Sequence, residues 1–315
     1  MLKKNVYTYL KYCCLSVIFN KYCLIFLLSF ILTLKEKLTY KYKVFKCRNE
    51  CFICCTGKMF SGKVILITGA SSGIGAETAL EFAKLGASLV LTGRNKENLE
   101  KVATNCSEIS PEKLKPLIII ADLTNEKDVE AIIRKTIETY KKLDVLVNNA
   151  GILGLGSIET TSLNQYDTIM NTNVRAPYHL TMLATPYLIE SKGNIVNVSS
   201  LSGLRSFSNV LAYCVSKAAL DQFTRCVALE LAPKGVRVNA VNPGVITTGI
   251  HLKGSMTDKE YEAYLNKSKE IHPIGRTGET KEVSSAIAFL ASDAASNITG
   301  VTLPVDGGRH AVCPR

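Results

Sequence analysis

Tyr213 and Lys217 stand four residues apart in the run Leu211-Ala-Tyr-Cys-Val-Ser-Lys-Ala-Ala-Leu220, a spacing that puts both side chains on one face of a helix. An ammonium beside a phenol favours the phenolate and draws its pKa down from about 10, which makes the pair a proton-transfer device. A solvated helix face carries the same spacing by chance, so the pair takes its meaning from its surroundings. Asn194-Ile-Val-Asn-Val-Ser-Ser200 reads as a strand ending in two hydroxyls, and Ser200 precedes Tyr213 by thirteen residues. A strand end followed by this helix would bring the Ser200 hydroxyl and the Tyr213 phenol to one carbonyl oxygen. Strand neighbours face opposite ways, so Ser199 is expected to point away. Cys214 lies about 100° round the helix from Tyr213 and is expected to pack rather than react.

A second group of residues suits a nucleotide. Thr68-Gly69-Ala70-Ser71-Ser72-Gly73-Ile74-Gly75 lies between the apolar run Val64 to Ile67 and a helix-like run from Ala76 to Leu85. Glycine permits a tight turn, lets backbone approach a pyrophosphate, and leaves N–H groups at a helix N-terminus facing negative charge. The spacing of Gly69, Gly73 and Gly75 departs from G-x-G-x-x-G, and a Gly/Ser-rich surface turn is the plain alternative. Leu91-Thr92-Gly93-Arg94-Asn95 follows about twenty-five residues after Gly69. An acid there would bind a ribose 2′-hydroxyl, whereas an arginine fits a 2′-phosphate. Gly93 offers no acid and Arg94 offers the cation, so NADP(H) is favoured over NAD(H). No metal is expected, because Cys51-x-x-Cys54 lacks a His or a second pair at a suitable spacing.

The elements that must position these residues follow an alternation. Short apolar runs at Val64 to Ile67, Ser88 to Leu91, Leu117 to Ile120, Val145 to Val147, Asn194 to Val198, Val236 to Val241 and Thr302 to Pro304 predict seven strands. Between them, helical patterns run over Ala76 to Leu85, Lys96 to Ser107, Glu126 to Tyr140, Gln165 to Leu188, Leu211 to Leu231 and Lys281 to Ala291. The predicted fold is a single α/β domain over 59–315, a doubly wound (Rossmann) seven-stranded parallel sheet with helices on both faces. Thr247 to Arg276 reads as a polar, aromatic loop after a strand end, placed to act as a substrate lid. His251 and His272, both within it, are expected at the surface or against substrate.

Residues 1–58 differ in character. They carry +9 of the formal charge of +11 and seven of the eleven cysteines, so the remainder is nearly neutral and the basic balance points to no nucleic acid. Scattered thiols elsewhere suit a reducing compartment, and the domain is expected in the cytoplasm. Tyr12 to Leu34 is mostly apolar, interrupted by Asn20 and Lys21, and five lysines follow it from Lys35 to Lys46. It is either a membrane-associating segment that keeps the domain on the cytosolic side or part of a translated leader, with the protein beginning at Met59.

Thr68 to Gly75, Asn148-Asn149-Ala150-Gly151, Asn173, Ser200, Tyr213-x-x-x-Lys217 and Pro243-Gly244, in this order, resemble the short-chain dehydrogenase/reductase family from about Met59 to Arg315. The tail Thr299-Gly-Val-Thr-Leu-Pro-Val-Asp-Gly-Gly308 resembles the 3-oxoacyl-acyl-carrier-protein reductase branch. The resemblance implies an NADP(H)-dependent oxidoreductase interconverting a ketone and a secondary alcohol, with 3-oxoacyl groups among the candidate substrates. Tyr213 would protonate the substrate oxygen, Ser200 would hydrogen-bond it, Lys217 would hold the nicotinamide ribose and tune Tyr213, and Asn173 would support a proton relay. The implied cofactor set is Gly69, Ser71, Ser72, Gly73, Ile74, Gly75, Arg94, Asp122, Leu123, Asn149, Ala150, Gly151, Tyr213, Lys217, Pro243, Gly244 and Thr247. Thr248 is an equally available hydroxyl beside Thr247, and Asp122 has a second reading as a carboxylate before Thr124 at a helix N-terminus. A homotetramer is implied, its long helices from Gln165 and Leu211 pairing with symmetry mates. Arg175, Arg205 and Lys253 are candidates for docking an acyl carrier protein. The alternative function is a catalytically silent dinucleotide-binding or scaffold protein, against which the intact Asn173, Ser200, Tyr213 and Lys217 stand.

Overall fold

β-Branched and aliphatic side chains that are buried on both faces favour parallel strands covered by helices, and the seven apolar runs form such a sheet. In the computed structural model, which describes residues 59–248 and 257–312, the strands are β1 (Val64–Thr68), β2 (Ser88–Gly93), β3 (Leu117–Ile120), β4 (Val145–Asn148), β5 (Asn194–Val198), β6 (Arg237–Pro243) and β7 (Thr302–Val305). Their order is β3-β2-β1-β4-β5-β6-β7 and every pairing is parallel, as the alternation predicts. The described residues fall within one compact unit, Thr56–Arg315. The expectations placed on residues 1–58, including the membrane segment and the Cys51–Cys54 pair, and those on His251 and Lys253, lie outside the described residues. Among the described residues no helix is long and apolar enough to cross a membrane.

The helices are α1 (Gly73–Lys84), α2 (Lys96–Ile109), α3 (Glu126–Tyr140), α4 (Leu163–Met170), α5 (Ala176–Ser191), α6 (Leu211–Leu231), α7 (Asp258–Glu270) and α8 (Thr280–Ala291). Strand alternation divides the core between the two faces of the sheet. Ile65 and Ile67 of β1 pack with Phe82, Leu99 and Ile287 of α1, α2 and α8. Val64 and Leu66 pack with Ile132, Leu180 and Leu231 of α3, α5 and α6. Burying each such aliphatic side chain contributes about 1.5–3 kcal/mol, which holds β1 inside the sheet between β2 and β4. Strand order reverses between β1 and β4, so the crevice beyond their carboxyl ends is where a ligand belongs in this architecture.

Two elements differ from expectation. The helix predicted over Gln165 to Leu188 is broken: α4 and α5 are joined by a π-helical turn, Asn171–Arg175, in which the Ala176 N–H donates to the Asn171 carbonyl. Pro177 stands in the first turn of α5 and has no N–H to donate to the preceding turn, which frees the backbone to widen there. The predicted lid loop contains α7, which opens on a capping box. The Glu260 N–H donates to Thr257 Oγ1 at 3.4 Å and the Thr257 N–H donates to Glu260 Oε2 at 2.8 Å. The Thr-x-x-Glu signal for this helix start was present in the sequence.

Candidate active site

The glycine turn is shaped by what a Cβ would strike. Gly69 and Gly73 have φ of +64° and +57°, left-handed conformations that favour glycine. A Cβ on Gly75 would lie 2.4 Å from both Asn149 Nδ2 and the Gly69 carbonyl oxygen. The missing Cβ therefore lets α1 begin directly against the ends of β1 and β4. Thr68, the last residue of β1, stitches that crevice: its Oγ1 accepts from the N–H groups of Asn149 and Ala150 at 2.9 and 3.0 Å. Asn149 Nδ2 donates back to the Thr68 carbonyl at 2.8 Å. Below it, Asn148 Nδ2 donates to Asn197 Oδ1 at 2.9 Å and Asn197 Nδ2 to Thr224 Oγ1 at 2.8 Å, a buried polar ladder tying β4 to β5 and α6.

The proton-transfer residues meet where β5 ends. Lys217 is buried, and its Nζ donates to the Val198 carbonyl at 2.9 Å and lies 5.7 Å from the Tyr213 ring centroid. Ser200 is hydrogen-bonded to Tyr213. Asn173, buried in the π-helical turn, accepts from the Ile152 N–H at 2.8 Å and donates to the Ile152 carbonyl and to Ser216 Oγ. It stands beside Lys217: a Cβ on Gly151 would come within 3.3 Å of Asn173 Oδ1 and 3.4 Å of Lys217 Nζ. Ser199 Oγ turns instead to the Lys217 carbonyl at 3.2 Å, as strand alternation predicts. Cys214 Sγ packs toward the Phe207 carbonyl.

Burial dominates the titration of this group. It pushes the Tyr213 phenol up to about 12, with the hydrogen bond from Ser200 opposing. It pushes Lys217 down to about 8, and Asp221 pulls that group back up. The expected lowering of the phenol by the ammonium is therefore not found, since desolvation outweighs it. Asp221 itself is held above the usual carboxylate range by burial. It accepts two hydrogen bonds from Asn242 Nδ2, at 3.1 and 2.9 Å, while the same nitrogen donates to the Ser200 carbonyl at 2.8 Å. Asp221 and Asn242 thus brace Lys217 and Ser200, and neither was singled out from the sequence. The signal for Asp221 was its spacing, since Tyr213, Lys217 and Asp221 follow one another every fourth residue.

A cleft of about 1200 Å³ gathers most of the expected residues: Gly69, Ser71, Ser72, Gly73, Ile74, Arg94, Asp122, Leu123, Asn149, Ala150, Gly151, Ser200, Tyr213, Lys217, Pro243 and Gly244 all line it. Gly75 and Asn173 stand behind its wall. Thr247 turns away to Thr277, Oγ1 to Oγ1 at 3.4 Å, and Thr248 takes the place by the glycine turn, its Cγ2 3.5 Å from where a Gly73 Cβ would be. Asp122 closes the turn ahead of α3, whose N-cap is Asn125. It lines the cleft and accepts from the Thr124 N–H and hydroxyl at 3.0 and 2.8 Å, which hold its carboxyl below the usual range with help from Arg94. His272, expected at the surface or on substrate, is 2% exposed and accepts the Val245 N–H at 3.4 Å, anchoring the chain after α7 to the end of β6. Tyr264 of the expected lid segment also lines the cleft, as do Phe207, Val210 and Arg309, which were not foreseen. A separate hollow of about 510 Å³ between α3 and α5 contains none of the residues expected to do chemistry.

The family described as Enoyl-(Acyl carrier protein) reductase matches residues 69–310. The 3-oxoacyl-[acyl-carrier-protein] reductase of Thermotoga maritima is 37% identical over 248 residues, 78% of this chain and 97% of its own. A short-chain dehydrogenase/reductase of unknown function from Caenorhabditis elegans, solved with cofactor, superposes with a TM-score of 0.75 at 36% identity over 81% of this chain and 97% of that one. The 3-ketoacyl-(acyl-carrier-protein) reductase from Brucella melitensis, complexed with NADH, does so with a TM-score of 0.72 at 37% identity, covering 79% and 99%. With its seven parallel strands, its glycine turn and its Tyr213–Lys217 pair, the chain belongs to the short-chain dehydrogenase/reductase family, oxidoreductases acting on alcohol and ketone groups.

Proposed function

We propose that the protein interconverts a ketone and a secondary alcohol with NADP(H). The observation that carries the reading is one cleft in which Ser200, Tyr213 and Lys217 stand beyond a glycine turn whose rim carries Arg94. The turn fits a dinucleotide: its glycines hold conformations and approaches that a Cβ would forbid, and relatives of this chain are described with cofactor or with NADH. When bound, the nicotinamide supplies or accepts the hydride. The Tyr213 phenol, neutral throughout the physiological range, holds the proton for the substrate oxygen. Ser200 orients that oxygen, Lys217 places a cation beside the phenol, and Asn173 fixes the Ile152 backbone behind it. A silent scaffold would have no need of this buried set.

Arg94 is exposed at the end of β2, where a 2′-phosphate would meet it. A charge-assisted hydrogen bond is worth about 1.5–3 kcal/mol, roughly 10- to 100-fold in kcat/KM. The wild type should prefer NADPH to NADH, and Arg94→Ala should remove most of that preference by lowering kcat/KM for NADPH alone. Equal loss with both cofactors would refute the assignment.

Small carbonyl and alcohol compounds are the substrate class. Arg175 is ion-paired with Glu126 and Arg205 donates to the His310 carbonyl at 2.8 Å, and both side chains are exposed; 3-oxoacyl groups remain candidates. The free thiols of Cys106, Cys214 and Cys226 support a cytoplasmic setting for this domain. Tyr178 and Met182 of α5 and Val215 and Leu229 of α6 are exposed, and the Tyr178 and Phe223 rings bridge the two helices at 5.5 Å. This apolar face supports a homotetramer in which α5 and α6 pair with their symmetry mates. Sedimentation should give four chains per particle, and Tyr178→Arg with Leu229→Glu should give smaller ones; an unchanged mass in the double variant would place the interface elsewhere.

A further inference from the structure

Arg309 follows β7 and lines the cleft together with Phe207, over whose ring its guanidinium carbon lies 4.8 Å from the centroid. Sheet order sets where this cation is. The glycine turn follows β1, Arg94 and Asp122 follow β2 and β3, and Ser200 follows β5, whereas Arg309 comes from the far edge beyond β6. At roughly 4.8 Å per strand, β2 and β7 are about 24 Å apart. A nucleotide laid from the β2–β3 side to Tyr213 leaves the β7 side for the part of the substrate that does not react.

The tail that carries Arg309 is held firmly. Buried Asp306 accepts from the His310 N–H at 2.6 Å and the Gly308 N–H at 3.1 Å, its carbonyl accepts from the Arg309 N–H, and Arg205 clamps the His310 carbonyl at 2.8 Å. The guanidinium is partly buried and, among the described residues, has no carboxylate partner. Asp122, the one carboxylate among the residues lining the cleft, belongs to the β3 side. A guanidinium stacked on an aromatic face keeps its N–H edge free for two parallel hydrogen bonds to a carboxylate. Val210 and Tyr264 add apolar and aromatic surface to the same cleft.

We propose that Arg309 is the substrate-recognition residue and that the carbonyl substrate carries a carboxylate, separated from the reacting carbon by a short apolar chain. One planar guanidinium fork matches the two oxygens of a monoanionic carboxylate. This rests on the oxidoreductase reading, and its test separates the two. With the full chain and saturating NADPH, kcat/KM is compared for 4-oxopentanoate and 5-oxohexanoate against their methyl esters. The acids should be favoured about 10- to 100-fold, the range of a charge-assisted hydrogen bond. Arg309→Gln should bring the acid-to-ester ratio close to one, and Arg309→Lys should keep part of it. Calorimetric titration of hexanoate and of hexanamide, with and without NADPH, gives a readout without turnover: hexanoate should bind more tightly to the wild type and no more tightly than the amide to Arg309→Gln. Equal use of acid and ester by the wild type, or a ratio unchanged in Arg309→Gln, overturns the proposal and leaves the cation merely stacked on Phe207. If none of the oxo compounds turns over while hexanoate binding still depends on Arg309, the recognition role stands and the proposed NADPH-linked reduction of these ketones fails.

Discussion

Tyr213→Phe is expected to lower kcat for ketone reduction by about 10²–10⁴-fold, the usual contribution of a positioned general acid, while the affinity for NADPH stays within a few-fold of the wild type. The change removes one oxygen from a ring that is already packed, so it opens almost no cavity and leaves the ring of Tyr213 beside Lys217. The loss is of the proton. Burial holds that proton on the phenol with a pKa of about 12, so at neutral pH the wild type has its acid fully loaded, and Ser200 alone can only orient the oxygen. Steady-state kinetics on a ketone panel and a fluorescence titration of NADPH make the measurement. Turnover close to wild type would remove Tyr213 from the role of proton donor. Loss of turnover together with loss of cofactor binding would instead mean that the substitution had disturbed the cleft.

The second large effect concerns Lys217. Lys217→Met should cost roughly 10²-fold in kcat/KM, the scale seen when one preorganised electrostatic donor is removed from an active site. The pH profile tests the same group without mutation. Lys217 is cationic below its pKa and neutral above it, and burial has brought that value down to about 8. Activity that needs the cation is therefore complete below this value and declines as pH rises through it. Tyr213, at about 12, keeps its proton across that window and adds nothing to the limb. Measured as kcat/KM for NADPH, which reports the free enzyme, the profile should fall in a one-proton limb near pH 8. Asp221 raises Lys217, so Asp221→Asn should move the limb to lower pH. A limb that persists in Lys217→Met, or that stays in place in Asp221→Asn, belongs to another group.

Much of the fold and the site was legible in the sequence. The apolar runs had the length and β-branched content of buried parallel strands, and the order of glycine turn, Ser200, Tyr213 and Lys217 left little freedom for where a dinucleotide and a carbonyl would meet. The failures have physical causes. Thr247 and Thr248 are adjacent hydroxyls just past a strand, where alternation no longer holds and only tertiary hydrogen bonding decides which one turns to the cleft. His272 lies in a polar segment, and its burial depends on the end of β6 packing over it. The direction of the Tyr213 shift could not be read from Lys217, because helical spacing says nothing of how much water remains around the two groups. Arg309 is distant in sequence from Tyr213, and only the β6–β7 pairing brings its tail to the cleft.

Regular helices transmit one phase along their length, and the π-helical turn at Asn171–Arg175 breaks that transmission. The extra residue rotates α5 by about 100° relative to the phase set by α4. α4 packs toward α6, with Thr168 lining the cleft, while α5 packs toward β4 and α3. Two neighbouring stretches of chain therefore answer to different demands. A substitution before the turn bears on the wall of the cleft, and one after it on how the sheet is covered. Asn173, at the seam, turns its amide to Ile152 and Ser216 rather than to either helix.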